Sequence, residues 1–267
     1  MKFLIFIISV YLLFSYQTER YYIVKVKGGI TNVKSGKTLA QGDEINPNDQ
    51  IKFSDGNAMA LVVSDANKKY TLKLPNTANN VGLTASVTNS LIFSKTKRTA
   101  SRGIITNAAI KDLKEFLGNN QFTVIGNSLE VKLSKQTFEN QSIEAKYDLS
   151  GKPFNKEIAR GDTILKLSRA DLGAKSSGEV KLYHVDFYQS DKSRNRVDKI
   201  TRLDLNFVDE NAIKDELKTI IGVYKKKNYT KPDMKAFLME YFIDFYGNTH
   251  EYILSQFIDK IIEENMK

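Results

Sequence analysis

GGITNVKSGKT, Gly28 to Thr38, decides how the first part of this chain folds. Its tail, Gly36-Lys37-Thr38, is how a Walker A loop ends. Such a loop needs Gly-x-x-x-x-Gly-Lys-[Ser/Thr], so that backbone N–H groups wrap the phosphates. The position that requires the first glycine is Thr31, and Gly28 and Gly29 are displaced outward. The loop must also open a helix whose N-terminus faces the phosphate. Thr38 leads instead into LAQGDEINPNDQI, where Gly42 and Pro47 break a helix at once. The stretch predicts turn chemistry between strands, not a nucleotide site.

The flanks agree. Tyr22-Ile23-Val24-Lys25-Val26-Lys27 reads as a strand with Tyr22, Val24 and Val26 on one face. Ile51 and Phe53 start another, Ala58 to Val63 continues, and Tyr70-Thr71-Leu72-Lys73-Leu74 alternates. Between them stand Ser35-Gly36-Lys37, Gly42-Asp43 and Asp55-Gly56-Asn57. Glycine accepts positive φ and Asp or Asn bonds its own backbone, so these are turns. A small all-β module is expected over 21–75.

VKVKGGITN, KTLAQGDEI, DQIKFSDGNAMALVVSD and KYTLKLP together resemble the FecR-type β-rich module. Gly28 or Gly29 takes the place of its early glycine, and Leu39, Gly42 and Asp43 that of its Leu-x-x-Gly-Asp turn. The resemblance covers about residues 21–75 only and implies a periplasmic or exported interaction module. No cytoplasmic anti-sigma segment stands before the apolar start, so the family's signalling role is not carried over. Read without the family, Leu39, Gly42 and Asp43 make a turn.

Before this module, Met1-Lys2 precedes FLIFIISVYLLF, 12 residues in which only Ser9 is polar. A bilayer span needs about 20. A basic start and a short apolar run match a secretory signal peptide over 1–17. Ser15-Tyr16-Gln17 lacks the small residue preferred before the cut, so an uncleaved membrane anchor is the alternative. Cysteine is absent, which excludes disulfides, a Cys nucleophile and cysteine-based zinc sites. Hydrophobic residues make up 41% of the chain, enough for real cores. The net charge of +9 suits either solubility or an anionic partner.

The rest divides by periodicity. Residues 76–120 read as a linker with a short helix within Ile104 to Leu117, where Ile110, Leu113 and Leu117 share a face and Gly118 stops it. From 121 to 207 the period returns to two. A hairpin is expected to turn at Gly126-Asn127, with further strands at Ile143–Tyr147, Thr163–Leu167, Val180–Tyr188 and Ile200–Phe207. That suits an antiparallel β-sandwich. Residues 208–267 carry three apolar stripes at helical spacing, on Ile213 to Tyr224, Met234 to Phe245 and Leu254 to Ile262. Thr230 with Asp233 and Asn248 with Glu251 read as capping boxes, and Gly247 as a helix end. The expected class is α+β and multi-module: a small all-β domain, a middle sandwich and a C-terminal three-helix unit.

Chemistry is harder to find. His184 and Asp186 in KLYHVDFY point away from the face of Tyr183, Val185 and Phe187, which marks a solvent face. His250 falls in a helix's first turn, a poor place for an imidazolium, and is expected at the surface. Glu240 and Asp244 form a polar flank. No catalytic, cofactor or metal residue is assigned. Two basic groups remain as candidate binding residues: Lys95, Lys97, Arg98 and Arg102 in SKTKRTASR, and Lys225, Lys226 and Lys227 between helices. SKTKRTASR lacks the interleaved aromatics that single-stranded nucleic acid requires. Lys225 to Lys227 suit anionic lipid or nucleic acid, but a helix C-terminus favours cations in any case, and no nucleic-acid partner is expected. The expectation is an exported, non-enzymatic binding or scaffold protein of a bacterial envelope, periplasmic or secreted, taking a protein or glycan partner. It touches membrane only if the N-terminal segment is uncleaved. The alternatives are a membrane-retained sensor component and a hydrolase built from scattered acidic residues.

Overall fold

Strand β1 (Tyr21–Lys27) forms where expected, but with a different buried face. Tyr21 and Ile23 enter the core, Val24 is also fully buried, and Tyr22 and Val26 are half-exposed. The cause is a bulge between Ile23 and Lys25 in its pairing with β5 (Met59–Ser64). An extra residue there breaks the strict alternation on which the expected Tyr22, Val24 and Val26 face depended.

The structure is a computed structural model that describes residues 19–75, 84–93, 109–118, 120–138, 141–149, 151–160, 164–173, 182–191, 196–227 and 229–266. The expected signal segment and Lys95, Lys97, Arg98 and Arg102 lie outside the described residues. The chain divides into two units, Met1–Ser94 with Gly222–Asn228, and Lys95–Ile221 with Tyr229–Lys267.

The first unit adds β2 (Ile30–Asn32), β3 (Glu44–Ile45), β4 (Gln50–Phe53), β6 (Lys69–Lys73), β7 (Thr84–Ser86), α1 (Val87–Ser90) and β8 (Leu91–Phe93). One sheet has the order β3-β1-β5-β6-β8 and the other β2-β4-β7. Central β5 is buried almost throughout, and Ile23, Ile30, Ile45, Ile51, Phe53, Val62 and Leu72 share one core. Thr84–Phe93, within the stretch read as linker, supplies strands to both sheets.

GGITNVKSGKT is the first corner of this unit. Asn32 Oδ1 accepts from the N–H groups of Lys34 and Ser35, and Gly36 N–H donates to Asn32 O at 2.9 Å. Thr38 then bridges back to Thr31. No helix follows. Gly28, at φ 76°, passes so close to Ala58 that a Cβ on it meets Ala58 Cα and Cβ at 3.0 Å. Leu39 to Asp43 is a turn: Asp43 Oδ2 accepts from Ala40 N–H, and Gly42 N–H donates to Ile23 O.

The second unit holds α2 (Leu113–Leu117), β9 (Asn120–Ile125), β10 (Ser128–Lys132), α3 (Lys135–Phe138), β11 (Gln141–Leu149), β12 (Lys152–Arg160), β13 (Ile164–Ser168), β14 (Leu182–Asp191), β15 (Arg196–Val208) and helices α4 (Glu210–Lys225), α5 (Lys231–Tyr246) and α6 (Glu251–Asn265). The last turn of α4, from Gly222, belongs to the first unit. A five-stranded sheet runs β12-β11-β14-β15-β9, and β10 pairs with β13 in a two-stranded one. Leu129, Val131, Leu165 and Leu167 of the ribbon share a core with Ile143, Ala145, Val185, Phe187, Leu203 and Leu205 of the larger sheet.

Two local expectations fail here. Gly126-Asn127 turns the chain, but β9 and β10 do not form a hairpin. β9 pairs parallel with β15 at the sheet edge, while β10 pairs antiparallel with β13. The turn is a corner between two sheets: Gly126 N–H donates to Val208 O, and Asn127 O accepts from Arg169 N–H. That parallel pair also departs from a purely antiparallel sandwich. The short helix starts only at Leu113, because Asp112 caps it by accepting from Glu115 N–H. Ile110 lies before it in a bridge to Leu133.

The helical ends follow the sequence at two of three caps. Thr230 caps α5 by accepting from Asp233 N–H, and Gly247, at φ 86°, ends it. At α6 the cap is His250, not Asn248. Among the described residues no helix is long and apolar enough to cross a membrane.

Candidate functional site

Strict alternation along β11, β14 and β15 puts Ala145, Val185, Phe187, Leu203 and Leu205 in the core and the residues between them on the sheet's other face. The register then lines up polar side chains across four strands. Asn155 on β12 pairs with Lys146, Lys146 with Asp186, and Asp186 with Arg202. One step along, His184 pairs with Asp204.

Asn155, Lys146, Asp186, Arg202 and His184 line an open cleft of about 560 Å³, with Asp148, Leu149, Phe154, Leu172, Gly173 and Leu182 around them. The register sets Phe154 and Tyr147 level with buried Val185, on the side of the sheet opposite the polar row; their rings lie 6.2 Å apart and 11° from parallel, and Phe154 remains 46% exposed. The turn after β13 closes in tightly, with Gly173 packed on Leu149 so closely that no side chain fits there. Asp171 holds that turn by accepting from the Ser168 N–H and hydroxyl, and it pairs with Lys156 of β12. Burial pushes the Asp171 carboxyl up, but the bonds from Lys156 and Ser168 outweigh it and hold it below the usual range. Burial, with the Asp171 charge, raises the Tyr147 phenol.

The polar groups are arranged rather than loose. His184 Nδ1 bonds Asp204 Oδ1 at 2.5 Å, which leaves Nε2 toward solvent on a ring that is 66% exposed. Asp186 takes Lys199 at 2.6 Å and sits 3.8 Å from Arg202 Nε. Lys146 lies 4.3 Å over the Tyr188 ring. Asn155 Nδ2 donates to Glu144. The polar face thus offers a donor on Arg202 and an acceptor on Asp148.

Of the basic residues singled out in the sequence, the described ones do not line this cleft. Lys225 and Lys226 are exposed in the first unit. Lys227 is held by Asp65, at 3.0 Å to its carboxylate and 3.3 Å to its carbonyl. It ties down the segment after α4, whose Tyr224 is buried with its hydroxyl 3.4 Å from Ser64 O. Lys227 is a structural tether in this arrangement.

His250 corrects a second expectation. It is 4% exposed, accepts from Tyr252 N–H through Nδ1, and stacks on Phe116. An imidazole that is neutral can cap a helix, so the objection from the helix dipole applies only to its charged form. Glu240 and Asp244 are half-buried, not an open flank. Glu216, part of an apolar stripe's surroundings in the sequence, is 2% exposed and receives the Tyr241 and Tyr246 hydroxyls. Alternation in KLYHVDFY already set His184 and Asp186 outward. The register that puts Arg202 and Asp204 beside them had no sequence signal.

No protein-family model matches this chain, and no curated protein matches it either.

Proposed function

We propose that this is an exported, non-enzymatic binding protein of the cell envelope, with the β11–β12–β14–β15 cleft as its recognition surface. The observation that carries this reading is the open cleft and its row of polar side chains, held in register across four strands. Pockets of this size with a few convergent polar groups are where ligands bind. The filled apolar interior of the sandwich speaks against an enclosed hydrolytic site. Export rests on the apolar start of the chain, and the FecR-like reading of 21–75 on its turn residues and strand order. The partner is a protein or a glycan.

A photo-crosslinking residue tests this. Benzoylphenylalanine replaces exposed Asn155 in one variant and exposed Val33 of the first unit in another. Both are irradiated in envelope extract from the source cells. A specific adduct at 155 and none at 33 is expected. Adducts at 33 alone, or at neither, overturn the cleft as the recognition surface.

A further inference from the structure

The sheet β3-β1-β5-β6-β8 of the first unit has two unlike faces. Val26, Ala60, Leu72 and Leu91 lie level with one another across β1, β5, β6 and β8 and pack on the core. Alternation sends their neighbours to the other side. There the register sets Lys27, Met59 and Lys73 in one row and Lys25, Leu61, Thr71 and Ile92 in the next. Lys27 and Lys73 are exposed, Lys25, Met59 and Thr71 are half-buried, and Ile92 is 46% exposed. Neither row holds a carboxylate. In the turn before β5, Asp55 accepts from the Ser54 hydroxyl and the Asn57 N–H. At the opposite end of β1, Glu44 lies level with Tyr22 and pairs with Arg20.

Cations set among aliphatic side chains select between anionic partners. Single-stranded nucleic acid needs aromatic platforms for its bases, and these two rows hold no aromatic ring. A sulfated glycan gains nothing from Ile92 and Met59. An anionic bilayer uses both kinds of side chain: ammonium groups meet the headgroup phosphates, and aliphatic groups enter the boundary beneath them. The chain also brings the unit to such a surface. The apolar run Phe3–Phe14 precedes β1, and residues 15–20 between them reach at most about 20 Å. Seated in a membrane, that run holds the sheet close to the headgroups. A face with few cations then binds, because the encounter is intramolecular.

We infer that the first unit docks on an anionic lipid surface through this face, with Lys25, Lys27 and Lys73 against the headgroup phosphates and Ile92 and Met59 between them. The inference goes beyond the cleft of the second unit and does not depend on it.

The sequence has no cysteine, so one introduced thiol carries a single dye. The full chain with Ile92→Cys is labelled with an environment-sensitive NBD fluorophore. Val33→Cys, after β2 of the opposite sheet and 51% exposed, is the control. Both are reconstituted in nanodiscs of phosphatidylcholine, alone or mixed with phosphatidylglycerol. Blue-shifted emission and quenching by headgroup-labelled nitroxide lipid are expected at position 92 in the anionic discs, and neither at 33. Lys27→Gln and Lys73→Gln are each expected to lower the ratio of docked to undocked label about fivefold, with unchanged unfolding midpoints. Added salt is expected to release the label, with phosphate and chloride of equal ionic strength acting alike. Equal quenching at 92 and 33 overturns the inference. So does quenching at 92 that is as strong without phosphatidylglycerol, or that is indifferent to the lysine substitutions. Release by phosphate in preference to chloride overturns lipid as the ligand of these lysines.

Discussion

The His250 ring lies on the Phe116 ring, centroids 4.6 Å apart and 16° from parallel, with the same imidazole capping α6. This contact joins the start of the last helix to α2. Asn248, two residues earlier, accepts from Thr123 N–H at 2.6 Å, so the same corner is tied to β9. Burial lowers the His250 pKa, against the raising effect of Glu251 and Glu115. Above about pH 6.5 folded and unfolded chains both hold a neutral imidazole at this position. As pH falls below that value the unfolded chain takes up the proton first, and the folded state loses up to about 1.4 kcal/mol per pH unit until its own depressed value is reached. Urea unfolding between about pH 7.5 and 5 checks this. His250→Asn keeps a capping oxygen and is expected to flatten that part of the profile. An unchanged slope in the variant rules out His250 as its source.

Glu216 is the anchor of the helical core. Both buried phenols donate to it, and both are pushed well above their ordinary pKa, by burial first and then by the Glu216 charge. Glu216→Ala leaves two hydroxyls without their acceptor and is expected to cost about 2–4 kcal/mol. Glu216→Gln retains an acceptor and is expected to cost about 1 kcal/mol. Thermal unfolding separates them, and equal losses would deny the hydrogen bonds their part.

Two glycines of the opening stretch make a controlled comparison. Gly28 and Gly36 both have positive φ, but only Gly28 is crowded. Gly36→Ala is expected to cost about 1 kcal/mol through backbone strain alone. Gly28→Ala adds the clash with Ala58 and is expected to cost about 2–3 kcal/mol. Denaturant midpoints of the two variants provide the measurement.

Among the lysines after α4, one is expected to matter. Lys227→Ala breaks the contact with Asp65, whose side chain is 9% accessible, and is expected to lower stability by about 1 kcal/mol. Lys226→Ala, on an exposed residue, is expected to stay within about 0.5 kcal/mol of the parent.

Local chemistry was legible in the sequence, and long-range partnership was not. The turns at Asn32–Gly36 and Leu39–Asp43, the α5 cap at Thr230 and its end at Gly247 depend on residues a few positions apart. They stand where their glycines, Asp and Thr predict. So do the described parts of the expected strands, Ile143–Tyr147, Ile164–Leu167, Leu182–Tyr188 and Ile200–Phe207, because alternation is set within each strand. β12 went unread, since Lys152–Arg160 is exposed over most of its length and leaves no apolar period.

What the sequence by itself determined is the α+β composition: short strands first, then longer strands, then helices, with turns at marked glycines. Only the tertiary structure decided pairing. Whether β9 meets β10 or β15 depends on which sheet can bury Phe122 and Val124, and that requires strands far along the chain. The same holds for the candidate site. His184 and Asp186 were outward residues in the sequence, but the polar row exists only because register sets Lys146, Asp186 and Arg202 side by side. A period of two says which face a side chain takes. It does not say which strand lies next to it.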